Sequence, residues 1–158
     1  GSNMGLKLRS DEVGVMNNVT VRGCLFVGNL TGIKVGSDPV NGVATSTVHE
    51  NVSITGNVFT HNGGELHGGT ELGVAIVLEQ VDQTAVTDNL FIDKVAQTNW
   101  YAISVKTSLP LGSIDISNNV LDRWPAGEPF INAAAAGRVA LDNTRVEAGA
   151  AGANEHHR

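Results

Sequence analysis

The chain has 158 residues, 10 Lys and Arg against 16 Asp and Glu for a formal net charge of −6, 19 Gly, 4% aromatic residues and one Cys. That length suits one domain, the acidic balance argues against a nucleic-acid partner, and a lone Cys excludes an internal disulfide framework. No apolar run approaches the ~18 residues of a transmembrane helix, and no signal peptide stands at the start, where Gly1-Ser2-Asn3 reads as a cloning remnant.

In chain order, Leu6-Lys7-Leu8-Arg9-Ser10 has the pattern of two later stretches, Ile33-Lys34-Val35-Gly36-Ser37 and Ile103-Ser104-Val105-Lys106-Thr107. The chain is therefore expected to begin partway through a repeating unit. The first full unit is Asn18-Val19-Thr20-Val21-Arg22-Gly23-Cys24-Leu25-Phe26, followed by the alternating stretch Gly32 to Val35 and a loop over 36–50 with Asp38-Pro39 turn chemistry. The second is Asn51-Val52-Ser53-Ile54-Thr55-Gly56-Asn57-Val58-Phe59, followed by a Gly-rich insertion over 61–73 and the alternation Ala75 to Leu78. The third, Gln83 to Phe91, leads through 93–101 to Ala102-Ile103-Ser104-Val105. The fourth, Ser113 to Leu121, leads through 122–129 to Phe130-Ile131-Asn132-Ala133. A degraded fifth unit spans Arg138 to Thr144, and the Ala- and Gly-rich end from residue 147 has no apolar periodicity and reads as a flexible tail.

Aligning Cys24, Asn57, Asn89 and Asn119 gives intervals of 33, 32 and 30 residues. A period in that range marks a stacked architecture. Alternation at period 2 within each unit (Val19/Val21, Val52/Ile54, Ile114/Ile116) is that of a strand with one buried face. Each unit then reads as strand, tight corner, strand, with one more strand after a loop. Three strands per ~30 residues is the layout of a parallel β-helix. The expected fold class is all-β: a right-handed single-stranded parallel β-helix of about four to five coils with three parallel sheets. The expected division is a lead-in over 1–5, the β-helix over 6–146 and the tail over 147–158.

At the corner, Asn tolerates left-handed backbone angles and its amide can donate and accept at once. Stacking would place Asn57, Asn89 and Asn119 in a ladder that Cys24 interrupts. Cys24 itself reads as a small buried apolar residue. An exposed first coil would present unpaired strand edges. The chain is thus expected to be a piece of a longer stack, to be capped by another subunit, or to fold residues 11–16 over its end.

The recurring Val-x-Ile-x-Gly-Asn-x-Phe pattern, spread over roughly residues 6–145, resembles the coil of the pectate-lyase-like superfamily. That resemblance implies a polysaccharide bound along the outside of one sheet, an extracellular, cell-surface or virion setting, and no membrane partner. By alternation, the outward positions of the strands after the variable loops are Lys7, Lys34, Val77, Ser104 and Asn132, then Arg9, Gly36, Glu79 and Lys106. Glu79 and Lys106 would lie on adjacent coils ~4.8 Å apart at the backbone. Arg9, Lys34, Glu79 and Lys106 form either a sugar-facing charged stripe or a solvated face with a surface ion pair worth ~0–1 kcal/mol.

The insertion carrying His61, Glu65, His67 and Glu71 could supply an acid and a base or hold a divalent metal, although its spacing matches no metal motif. Trp100, Tyr101 and Trp124 could stack on sugar rings or cover apolar corners. The catalytic candidates are Glu79, Lys106, His61 and His67; the substrate-binding candidates are Arg9, Lys34, Trp100, Tyr101 and Trp124. Calcium is the cofactor the resemblance suggests, since pectate lyases bring an acidic calcium site.

The chain also departs from that superfamily's enzymes. Glycoside hydrolysis needs a pair of carboxyl groups at defined separation, and the outward strand positions offer only Glu79. The Tyr-Gly-Phe-Asp-Pro-His type of signature of related alginate epimerases is absent. Two readings stand: a polysaccharide-binding or polysaccharide-processing β-helix, lyase-like or hydrolase-like, and a non-catalytic structural or adhesive β-helix of the tail-spike or surface-protein kind that forms homo-oligomers.

Overall fold

The computed structural model describes residues 4–8, 15–36, 48–62, 74–92, 102–106, 112–122, 131–133 and 139–146. Within them the period-2 segments become short strands: β1 (Met4–Leu8), β2 (Asn17–Arg22), β3 (Leu25–Val27), β4 (Thr31–Val35), β5 (His49–Thr55), β6 (Val58–Thr60), β7 (Val74–Leu78), β8 (Val81–Asp82), β9 (Thr84–Thr87), β10 (Leu90–Ile92), β11 (Ile103–Val105), β12 (Ile114–Asp122), β13 (Ile131–Ala133) and β14 (Val139–Val146). Every element described is a strand, and every strand pairing is parallel. The protein is all-β, an arrangement compatible with a parallel β-helix. β1 begins at Met4, ahead of the residue 6 expected from sequence.

One sheet runs β1-β4-β7-β11-β13; the other runs β2-β5-β9-β12-β10-β6-β3, with β14 on β12 and β8 on β5. Two hydrogen-bonded sheets are formed where three were expected. The cause is local: β12 passes through the corner that separates β2 from β3 and β5 from β6, so one continuous strand pairs with both β9 and β10. Its own partner β14 is shorter by one residue there, and the register shifts between Ser117 and Val120.

Register, repeated from unit to unit, builds the core in columns. Leu6, Ile33, Ile76, Ile103 and Ile131 align in one sheet. Val21, Ile54, Val86 and Ile116 align in the other. Phe26, Phe59 and Phe91 stack with ring centroids 5.0 Å apart and planes within 10° of parallel, and Leu121 extends the column. The rings leave little room above them. A Cβ at Gly32 would stand 2.7 Å from the Ala75 carbonyl oxygen and 3.0 Å from the Phe59 ring, so the column facing the rings is Gly5, Gly32, Ala75 and Ala102. Thr84, where the other units have an apolar residue, is buried with its hydroxyl donating to the Asp82 carbonyl at 3.2 Å.

The corners hold the units together. Asn89 Oδ1 accepts from the Asn57 backbone N–H (3.0 Å) and the Asn57 amide (3.1 Å), while the Asn89 amide donates to the Ile54 carbonyl (2.9 Å). Asn119 does the same for Asn89 and Val86, and Asn57 for the Cys24 N–H and the Val21 carbonyl. All three asparagines are buried. The left-handed backbone expected of them falls instead on the residue before: Gly23, Gly56, Asp88 and Asn118 have φ of 66°, 63°, 57° and 56°. That placement is sensible, because the αL residue turns the chain while the asparagine keeps its amide directed along the stack.

A second ladder, not anticipated from sequence, follows the same recipe one strand later. Gly28 and His61 take positive φ, and Asn62 Oδ1 accepts from the N–H and amide of Asn29, both at 3.2 Å. Cys24 is exposed, which corrects the expectation that it is buried. It ends the ladder as a backbone donor only, its thiol donating weakly to the Arg22 carbonyl at 3.5 Å.

Asn89→Ala orphans the Asn57 N–H and the Ile54 carbonyl, so we expect it to lower stability by about 2–4 kcal/mol in urea unfolding. Asn29→Ala, at the partly exposed end of the second ladder, is expected to cost under about 1 kcal/mol. The Cys24 thiol should react with a disulfide reagent in the native state nearly as fast as in the denatured chain.

Candidate functional site

The register that turns Ile33, Ile76 and Ile103 into the core turns their neighbours to the opposite side of the five-stranded sheet. Lys7, Lys34, Val77 and Ser104 are aligned there in one column, and the backbone of Asn132 continues the register. Backbone bonds continue the ladder past the strand ends, from Glu79 N–H to the Val35 carbonyl (2.8 Å) and from Lys106 N–H to the Leu78 carbonyl (3.0 Å). Gly36, Glu79 and Lys106 therefore follow as a second column. Gly36, at φ 138°, is required there, because a Cβ would stand 2.6 Å from Glu79 Cβ.

Glu79 joins the two columns. Its Oε1 lies 2.7 Å from Lys106 Nζ and its Oε2 lies 3.6 Å from Lys34 Nζ. The carboxylate is thus bridged between lysines from the repeats on both sides. Burial changes the character of this face. Glu79 is 4% exposed, Lys34 7%, Val77 6% and Ser104 8%, so the expectation of a solvated sheet face with a surface ion pair is corrected. Of Glu79 and its two lysines, Lys106, with 36% of its side chain exposed, reaches solvent most. At β4, β7 and β11 the outer face is covered as well as the inner one, and every position of these three strands is buried.

His61 lies apart from these columns in the fold. It ends the β6 turn with φ 52°, exposed, its Nδ1 2.8 Å from Thr60 Oγ1. Arg9, His67, Trp100, Tyr101 and Trp124 lie outside the described residues. Among the described residues, no group of three or more His, Cys, Asp or Glu is arranged to hold a metal ion.

A polar corner that sequence reasoning missed links the two sheets. His49 and Gln80 are fully buried. The His49 N–H donates to the Gln80 carbonyl at 2.8 Å, and His49 Nδ1 accepts the Met16 N–H at 3.2 Å. Desolvation lowers the His49 pKa below the ordinary 6.5. Beside it, Asp82 Oδ1 accepts the backbone N–H groups of Gln83 and Ser113, both at 2.7 Å, and only glycine fits at 112 against this carboxylate. The available signal was the shared offset of Met16-Asn17, His49-Glu50 and Val81-Asp82 before successive strands, but those residue types differ too much to align by eye.

Removing one partner of a buried pair leaves an uncompensated charge, at a cost of about 3–5 kcal/mol. Glu79→Gln, which removes the carboxylate charge between buried Lys34 and Lys106, should lower stability by about 3 kcal/mol. Lys106→Met should cost about 1 kcal/mol or less, because that lysine is partly solvated. Denaturant midpoints of both variants check the order, and equal losses would contradict the geometry.

No protein-family model matches this chain, and no curated protein or solved structure matches it.

Proposed function

We propose that the chain is a right-handed parallel β-helix of about four to five coils, similar to the pectate-lyase-like kind, and that it binds a polysaccharide on the outward side of its five-stranded sheet. The observation that carries this reading is Glu79, a buried carboxylate bridged between Lys34 and Lys106 on the side of the sheet away from the core. Buried ion pairs are poor stabilisers compared with apolar packing of equal volume, which supports a role for this one beyond stability. In this reading Glu79 holds both ammonium groups in place, and Lys106, reaching solvent, donates hydrogen bonds to sugar hydroxyl or carboxylate oxygens. Trp100, Tyr101 and Trp124 supply stacking surfaces. Glu79 and Lys106 are also the residues around which polysaccharide processing would be built, with His61 and His67 as further acid-base candidates and calcium as the candidate ion. The setting that goes with this activity is extracellular, at a cell surface or on a virion.

A second reading, a non-catalytic structural or adhesive β-helix that assembles into oligomers, is favoured by the two asparagine ladders and the phenylalanine column. They commit polar and aromatic side chains to rigidity along the stack.

A glycan array separates the two readings, with the same polysaccharides assayed for new reducing ends and for the ultraviolet absorbance of unsaturated uronates. Binding that weakens at least tenfold in Lys106→Ala supports the polysaccharide site; turnover in addition assigns processing. Absence of binding across the array, by a chain whose unfolding is cooperative, overturns the site and leaves the structural reading.

A further inference from the structure

Met16 is held from two directions by β5. Its carbonyl accepts the Glu50 N–H at 3.0 Å, as in an ordinary ladder, but its own N–H finds a side chain, His49 Nδ1 at 3.2 Å. The His49 backbone N–H in turn bonds the Gln80 carbonyl at 2.8 Å. One residue therefore ties the segment leading into β2 to β5, and β5 to the turn before β8, across three successive repeats. Only an imidazole with an unprotonated Nδ1 can accept the Met16 N–H; once protonated, both ring nitrogens are donors.

We propose that His49 is an acid-labile latch on the first repeat: neutral, it closes the segment before β2 onto β5, and protonated, it releases that segment while the rest of the stack stays folded. Release stays local because the β2–β5 register and the Asn57 contacts to Cys24 and Val21 are made by backbone and amide groups, which do not titrate.

Among the described residues, the charged groups on the elements packed around His49 are Glu50 on β5, Asp82 on β8, Glu79 in the turn before β8 and Arg22 at the far end of β2. Glu79 is directed to Lys34 and Lys106, and Asp82 Oδ1 to the Gln83 and Ser113 amides. Glu50 is half-buried next to His49 on β5. The sign follows from the lowered pKa. The folded state binds a proton less readily than the unfolded chain, so the stabilisation is complete above the ordinary 6.5 and is lost as pH falls through the lower folded-state value.

Amide hydrogen exchange of the full chain, followed by NMR between neutral and mildly acidic pH and expressed as protection relative to intrinsic rates, tests the latch. Met16 should lose protection by about tenfold for each pH unit between the ordinary 6.5 and the lower folded-state value, with the Ile76 and Val120 amides, bonded to Ala102 and Asn89 carbonyls, unchanged. The loss should track the nitrogen chemical shifts of the His49 ring, a comparison that needs no variant. In His49→Gln, whose amide oxygen can accept the same N–H at any pH, Met16 protection should be independent of pH. The proposal is overturned if Met16 protection in the natural chain does not follow the His49 titration, or if Ile76 and Val120 lose protection in parallel with it.

Discussion

The constraint on which the structure depends is the amide ladder at the corners. A chain that turns sharply every few residues leaves backbone N–H and C=O groups pointing into the stack, where burial without a partner costs on the order of 1–3 kcal/mol each. Asn57, Asn89 and Asn119 each satisfy an N–H and a carbonyl of the preceding repeat, and Asn89 and Asn119 also accept from the preceding asparagine's amide, so the interaction has a direction along the stack. It also sets the register. An asparagine one position out of line would break three contacts and turn every side chain of its strand to the other face. The αL residue ahead of it supplies the turn, and Gly, Asp and Asn are the types that tolerate that conformation.

Everything functional inherits that register. The alignment that stacks isoleucine on isoleucine inside also puts Lys34, Val77 and Ser104 in line outside, with Gly36, Glu79 and Lys106 two residues on. Spacing alone makes this a row of neighbours. Burial makes it chemistry, because a carboxylate at 4% exposure bridged by two lysines is held in one geometry, whereas solvated side chains would sample many. The glycine at 36 is part of the same arrangement, since any Cβ there would displace Glu79.

The corner around His49 and Asp82 shows the other way this fold satisfies its backbone. There is no repeating residue type at that corner, and each repeat solves the problem separately: His49 accepts the Met16 N–H, while Asp82 accepts those of Gln83 and Ser113. Solutions of this kind introduce titratable groups into the stack, which the asparagine ladders avoid.

The repeat interval, the period-2 alternation and the recurrent Gly-Asn or Asn-Asn before an apolar residue make parallel strand stacking legible in the sequence, because each repeat must bury the same face against its neighbours. The alignment of Glu79 with Lys106 could likewise be counted from the strand pattern. Four features could not be read there. Alternation assigns a side chain to a face but says nothing of what covers that face, so Lys34 and Glu79 looked solvated and are buried. The second ladder at Asn29 and Asn62 and the exposure of Cys24 depend on how neighbouring repeats fit together. The His49 to Met16 bond is a contact across a whole repeat between residue types with no shared pattern. Local sequence determined the strands and their period; only the packing of one repeat on the next decided which polar groups are buried and what each of them must bond.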